Sequence, residues 1–220
     1  MIIKYLLVLI GFVLITSSNS NAQNLNIGLF TGYDVVNILQ KPWDPSASGP
    51  PFRHRNSYNM NCFISYKSKG IWGFSLEPGF MQKGAVNGVN NMCSWEFNYL
   101  QMPVLTDVYV LNRLLVSVGP EFSYMLNAKA ISVYPGHTQK DDVSSIYNRK
   151  FELSAFIGIK FMIINGIGVG LGYNHGLTYI KRVPFYGDQS QILGWGRQYN
   201  QYLQLRLSFI IKTLQFSNLD

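Results

Sequence analysis

The 220-residue chain is poor in charge. Asp, Glu, Lys and Arg make up 13% of it, against the ~25% usual in soluble domains. Yet no segment beyond the N-terminus holds the ~20 unbroken apolar residues of a membrane-spanning helix. Cysteine is scarce too. Only Cys62 and Cys93 occur, with no CxxC and no Cys/His cluster, which argues against a structural metal site. The three histidines, His54, His137 and His175, lie far apart, and there is no GxSxG. No catalytic set is expected. No basic helix, Arg/Lys run or zinc spacing accompanies the net charge of +7, so nucleic acid is not an expected partner. Gly166, Gly168, Gly170 and Gly172 alternate strictly and lead into no Lys-Ser/Thr or capped helix. They read as small strand residues rather than a phosphate loop, and no cofactor is expected.

What is present begins with an export signal. Lys4 supplies a positive n-region, Tyr5 to Ile15 an apolar h-region, and Ser20-Asn21-Ala22 a small-residue cut site. The chain therefore divides into a cleaved signal peptide, 1–22, and one domain, 23–220. No Cys follows the cut, so no lipid attachment is expected there. Export permits a disulfide. However, Cys62 falls in an expected strand and Cys93 in an expected loop, which favours two free thiols over a bridge.

The remainder is 15% aromatic with 20 glycines, and turn signals recur at alternating short and long intervals. Ser68-Lys69-Gly70, Asn112-Arg113 and Asn165-Gly166 mark tight turns. Asn-Gly suits a type I′ hairpin, whose two central residues need positive φ. Longer loops are expected near Leu39–Asn56, Gly84–Ser94, Lys129–Arg149 and Lys181–Gln198. Short periplasmic turns and long external loops are the rhythm of an up-and-down barrel in an outer membrane. Eight strands fit between the breaks: Leu25–Ile38, Ser57–Lys67, Ile71–Lys83, Trp95–Leu111, Leu114–Ala128, Lys150–Ile164, Ile167–Ile180 and Tyr199–Lys212.

Period-two alternation supports them. Phe151, Leu153, Ala155, Ile157, Ile159 and Phe161 share one face, and Glu152, Ser154, Phe156, Gly158 and Lys160 the other. Ile167, Val169, Leu171 and Tyr173 oppose Gly168, Gly170, Gly172 and Asn174. Leu203, Leu205, Leu207 and Phe209 oppose Gln204, Arg206 and Ser208. A soluble barrel would turn the large residues inward and put many Lys and Glu outside. Here the polar face is mostly small, which suits a cramped lumen. Trp72, Trp95, Tyr66, Tyr99, Tyr109, Tyr173, Tyr179 and Tyr202 fall near strand ends, as interfacial girdles would. The expected fold is an all-β, eight-stranded antiparallel up-and-down transmembrane β-barrel.

Several motifs bring a family into view. Glu77-Pro78-Gly79 with Gln82-Lys83-Gly84, and Asn98 to Pro103, resemble the third and fourth strands of the PorT-like outer-membrane β-barrel family. Val118-Gly119-Pro120 with Phe122-Ser123-Tyr124 is similar to its fifth strand, Tyr173 to Thr178 to its seventh, and Tyr202 to Ile211 to its last. Asp107, where a basic residue is expected, and a tail of about eight residues depart from the pattern. The resemblance implies an eight-stranded outer-membrane barrel. It implies no single activity, although some relatives assist protein secretion.

Inward charges should pair, because isolated charge in a low-dielectric lumen is costly. Glu77, Glu121 and Arg206 are expected near mid-membrane, and Asp107 with Lys160 toward the periplasmic end. A structural network is the preferred reading, with gating as the alternative. At the external rim, Arg53, Arg55, Arg149, Lys150, Lys181 and Arg182 are expected to contact lipid phosphates. The expected partners are outer-membrane lipid and lipopolysaccharide, with envelope or secretion proteins in addition. Three roles stay open: an interaction barrel, a secretion or assembly accessory, and a small-solute pore.

Overall fold

The computed structural model describes residues 24–41, 52–87, 92–111, 113–147, 149–164, 166–186 and 192–215. Residues 1–23, with the expected signal peptide, and residues 42–51, 88–91, 112, 148, 165, 187–191 and 216–220 lie outside the described residues.

Strands account for nearly everything described: β1 (Asn24–Lys41), β2 (Phe52–Arg53), β3 (Arg55–Lys67), β4 (Trp72–Leu76), β5 (Gly79–Asn87), β6 (Cys93–Leu111), β7 (Leu114–Tyr134), β8 (His137–Asp142), β9 (Phe151–Ile164), β10 (Ile167–Gly176), β11 (Lys181–Tyr186) and β12 (Ile192–Gln215). They form one antiparallel sheet. Eight staves run in ring order β1, β3, β4 with β5, β6, β7, β9, β10, β12. The ring closes where β12 returns to β1, paired from Asn24↔Gln215 to Lys41↔Arg197 with one bulge at Ile27/Gly28. Closure leaves no free edge among the staves, which lets the backbone pair within the sheet as a lipid environment demands.

The alternation resolves the faces as the sequence suggests. Ile157, Ile159, Leu171, Leu203, Leu205 and Ile211 stand 48–68% exposed on the outside. Glu152, Ser154, Phe156, Asn174, Gln204, Arg206 and Ser208 are buried within. Water would penalise such a continuous apolar exterior, since soluble monomers rarely expose patches beyond a few hundred Å². Lipid does not. Gly172 shows why the inward residues of β10 are small. A Cβ there would stand 2.6 Å from the Phe156 ring.

Four expectations need correction. The third stave is not one strand, for it breaks at Glu77-Pro78. Pro78 has no N–H to give the ladder. Its carbonyl still accepts from Cys62 N at 2.9 Å, and Glu77 N reaches Pro103 O at 3.0 Å, so the stave stays attached on both sides. Two of the expected external loops, Lys129–Arg149 and Lys181–Gln198, are also largely strand where they are described. β7 runs 21 residues and β12 24, where ~9–11 span a membrane. Their outer parts pair with β8 and β11 as hairpins standing beyond the rim. Cys93 opens β6 rather than sitting in a loop. It and Cys62 are free thiols. Finally, Tyr99 and Tyr202 belong to no girdle. Both rings lie in the lumen, where their hydroxyls are bonded.

Candidate functional site

The register of β1 against β12 orders the lumen from outside to inside as Ile38/Asn200, Val36/Tyr202, Asp34/Gln204, Gly32/Arg206 and Phe30/Ser208. An apolar layer closes the outer end. Ile38, Phe97, Met125 and Ile180 pack with Tyr147, whose ring meets Phe97 at 4.8 Å.

Below it sits Lys83. Its Nζ donates to Glu121 Oε1 at 3.0 Å, Glu152 Oε1 at 2.9 Å and Ser123 Oγ at 3.2 Å. The three charged side chains are 0–1% exposed. The remaining carboxylate oxygens are also used: Asn200 Nδ2 donates to Glu152 Oε2 at 2.6 Å, and the Tyr202 hydroxyl donates to Glu121 Oε2. Lys83 further lies 4.8 Å over Tyr99 and 5.6 Å over Tyr202. A buried ion pair offsets its desolvation only when hydrogen bonds satisfy the spare lone pairs. Here they do. The bonds also cross the barrel: Asn200 Nδ2 to Tyr99 OH, at 3.2 Å, joins opposite staves.

Deeper, Arg206 Nη2 donates to Glu77 Oε2, with Arg206 Cζ lying 3.8 Å over Phe30 and 5.4 Å from the centre of Phe156. Asp34 accepts from Asn59 Nδ2 at 2.6 Å. Lys160 and Asp107 lie within electrostatic range of one another, without a salt bridge. Lys160 Nζ instead sits 5.1 Å over Phe63, and Asp107 accepts from Ser117 Oγ. Glu77, Glu121 and Arg206 thus divide between two clusters. Sequence reasoning missed Lys83 as the centre of the outer one, and missed Asp34. Counting by twos from Glu77 through Gly79 and Met81 reaches Lys83, so parity carried the signal.

The rim residues also part company. Arg55 pairs in register with Val36 at the start of β3. Its guanidinium binds Glu96 at 2.8 Å and Gln82 at 2.7 Å, and Arg55 and Glu96 are both largely shielded from solvent. The Glu96 carboxylate engages Arg55, and Arg149, Lys150, Lys181 and Arg182 do not share it. Lys181 is half-buried, 5.4 Å over Tyr147. Arg53, Arg149, Lys150 and Arg182 are exposed. Arg149, Arg182 and Arg197 converge on Tyr179, with Cζ atoms 4.0, 5.1 and 5.7 Å from its ring centre. Asp142, on the outer hairpin, accepts from Ser144 N at 2.8 Å. The Ser144 hydrogen bonds hold its carboxyl below the usual aspartate range, with Lys129 and Lys150 adding to the effect.

No group of His, Cys, Asp or Glu among the described residues could hold a metal ion. None of the helices among them could cross a membrane. His54 and His137 are exposed, and His137 stacks on Tyr134 at 5.0 Å. His175 Nδ1 lies 3.2 Å from Tyr173 OH.

A closed eight-stave ring with an apolar exterior and a charged, filled interior defines an integral outer-membrane β-barrel. The chain belongs to the outer membrane protein beta-barrel domain family, which matches residues 20–182. No curated protein matches the chain. Among solved structures it is similar to Neisserial surface protein A, with 8% identity over 84% of this chain and 97% of that one (TM-score 0.49). It is also similar to Ail, the attachment invasion locus protein of Yersinia pestis, at 13% identity over 85% and 99% (TM-score 0.43). A third is OprG from Pseudomonas aeruginosa, at 10% identity over 90% and 98% (TM-score 0.43).

Proposed function

We propose that this barrel conducts nothing and acts through its outer rim and hairpins, which bind components of the envelope. The observation that carries the reading is the set of side chains bonded across the lumen, from Tyr99 to Asn200 and from Lys83 to Glu152. An eight-stranded interior is only wide enough for side chains, and these occupy it. What remains available is the outside. The proposed partners are outer-leaflet lipid and lipopolysaccharide at the rim and envelope proteins at the hairpins. Export with cleavage after Ala22 completes the proposal, and the mature chain should begin at Gln23. The buried carboxylates Glu121 and Glu152 share Lys83 and have no access to a substrate, which favours a role without catalysis.

A second reading, an accessory of envelope protein secretion or assembly, fits the narrower likeness to PorT-like barrels. It is favoured by β8 and β11. Among the described residues each pairs on one side only, so each offers open backbone donors and acceptors to a partner strand.

The test shortens the β7–β8 hairpin by replacing residues 133–138 with Asn-Gly, and crosslinks the intact envelope. The barrel should still insert and migrate as a heat-modifiable species, while its crosslinks to envelope components disappear. An unchanged crosslink pattern would contradict the proposal.

A further inference from the structure

The three arginines around Tyr179 differ from the other charges of the rim. Arg182 and Arg197 face one another directly across the β11–β12 ladder, and like charges so placed repel. Arg149 joins them from the segment before β9. From their distances to the Tyr179 ring centre, no two of the guanidinium carbons can be farther apart than about 11 Å. Among the described residues no carboxylate lies within salt-bridge distance of any of them, whereas Arg55 and Arg206 each have a glutamate. A ring can hold a guanidinium but cannot neutralise it. Three cations gathered without a described anion are poised for one supplied from outside.

The site's position indicates which anion. Cross-strand partners share a face, and Arg197 shares its strand parity with Leu203 and Leu205, both more than half exposed on the lipid side. Arg149 stands two residues before outward-facing Phe151, and Leu177 lies outward beside Tyr179, at the end of β10. The cluster thus faces outward at the upper border of the apolar belt. Outer-leaflet headgroup phosphates occupy that level, directly above their acyl chains. Guanidinium groups bind phosphate oxygens in forked pairs.

We propose that Arg149, Arg182 and Arg197 form, around Tyr179, a binding site for a phosphate group of an outer-leaflet glycolipid, whose acyl chains lie on Phe151, Leu177 and Leu203. The site deepens the rim half of the reading above and rests on the barrel's placement in an outer membrane.

The test uses the full barrel in neutral detergent micelles, titrated with bisphosphorylated lipid A and, separately, with lipid A stripped of phosphate. Binding is read from the shift in the heat-unfolding midpoint on unboiled gels. The phosphorylated lipid should raise the midpoint, and the stripped lipid should not. Arg182→Gln with Arg197→Gln should weaken the apparent affinity at least tenfold. Lys140→Gln on the far hairpin should leave it unchanged. If the double variant does not fold, Arg149→Gln, which lies outside every strand, should still weaken binding severalfold. Unchanged affinity in the folded variants would overturn the site. So would equal binding of the stripped lipid, or tighter binding of heparin than of lipid A, which would make the site one for soluble polyanions. Hairpin crosslinks that survive in a lipid-blind variant would leave the broader reading intact. Their loss in the shortened hairpin would test that reading alone.

Discussion

Arginine serves two regions of this barrel in opposite ways. In the lumen, Arg206 is buried, bonded to Glu77 and covered by Phe30. At the rim, Arg149, Arg182 and Arg197 are exposed, share one tyrosine and meet no described carboxylate. The lumen groups have given up water, so losing a partner strands a charge. The rim groups keep water on one side, so losing one costs the fold little. The difference separates charge that holds the molecule together from charge left free to bind.

The sharpest way to break that contrast is Lys83→Met. It leaves Glu121 and Glu152 buried without their cation, and breaking buried pairs in this way typically costs about 3–5 kcal/mol or more. Urea unfolding followed by heat-modifiable migration should show a barrel that scarcely refolds. Arg206→Ala comes next, at about 3 kcal/mol, since it strands Glu77 alone. Adding Glu77→Leu to an Arg206→Leu variant should recover most of the loss. If Arg206→Ala melts at the parental midpoint, Arg206 has no part in holding the fold. Gly172→Val follows. Its side chain would meet the Phe156 ring, and overpacking of this kind costs about 1–3 kcal/mol; Phe156→Ala in the same chain should relieve it. The smallest effect belongs to the outer hairpin. Because Asp142 is held below its ordinary pKa by Ser144, its contribution is present above the usual aspartate range. It fades as pH falls through the lowered value. Amide exchange near Ser144 should quicken in acid, and Asp142→Asn should remove that pH dependence without changing the barrel's midpoint.

Much of the lumen was legible because a strand has only two faces. Phe156, Lys160 and Arg206 follow from alternation alone, as do the outward leucines of β12. Several of the misses come from the difficulty of seeing where a strand ends. Gly84 resembles the start of a loop, yet it sits within β5 at φ +140° against the Trp95 carbonyl. Lys83 is the last residue of the expected strand and shares the inward parity of Glu77, but a charge at a strand end looks like a rim residue rather than the centre of a buried cluster. Arg55 likewise falls in an expected loop, where parity says nothing, although β3 already begins there. Tyr99 and Tyr202 stand near strand ends in sequence, but their hydroxyls reach Asn200 and Glu121 inside the barrel. The arginine cluster was not legible as a unit. Its members come from separate segments, and only the hairpin of β11 on β12 brings two of them face to face.

The side chains bonded across the lumen close it. Single-channel recording of the purified, folded protein in a planar bilayer tests this most directly. The membrane should stay silent at moderate voltage in concentrated salt, even after the barrel is shown to have inserted. Steady, salt-dependent conductance steps from the unmodified protein would contradict it and make this barrel a pore.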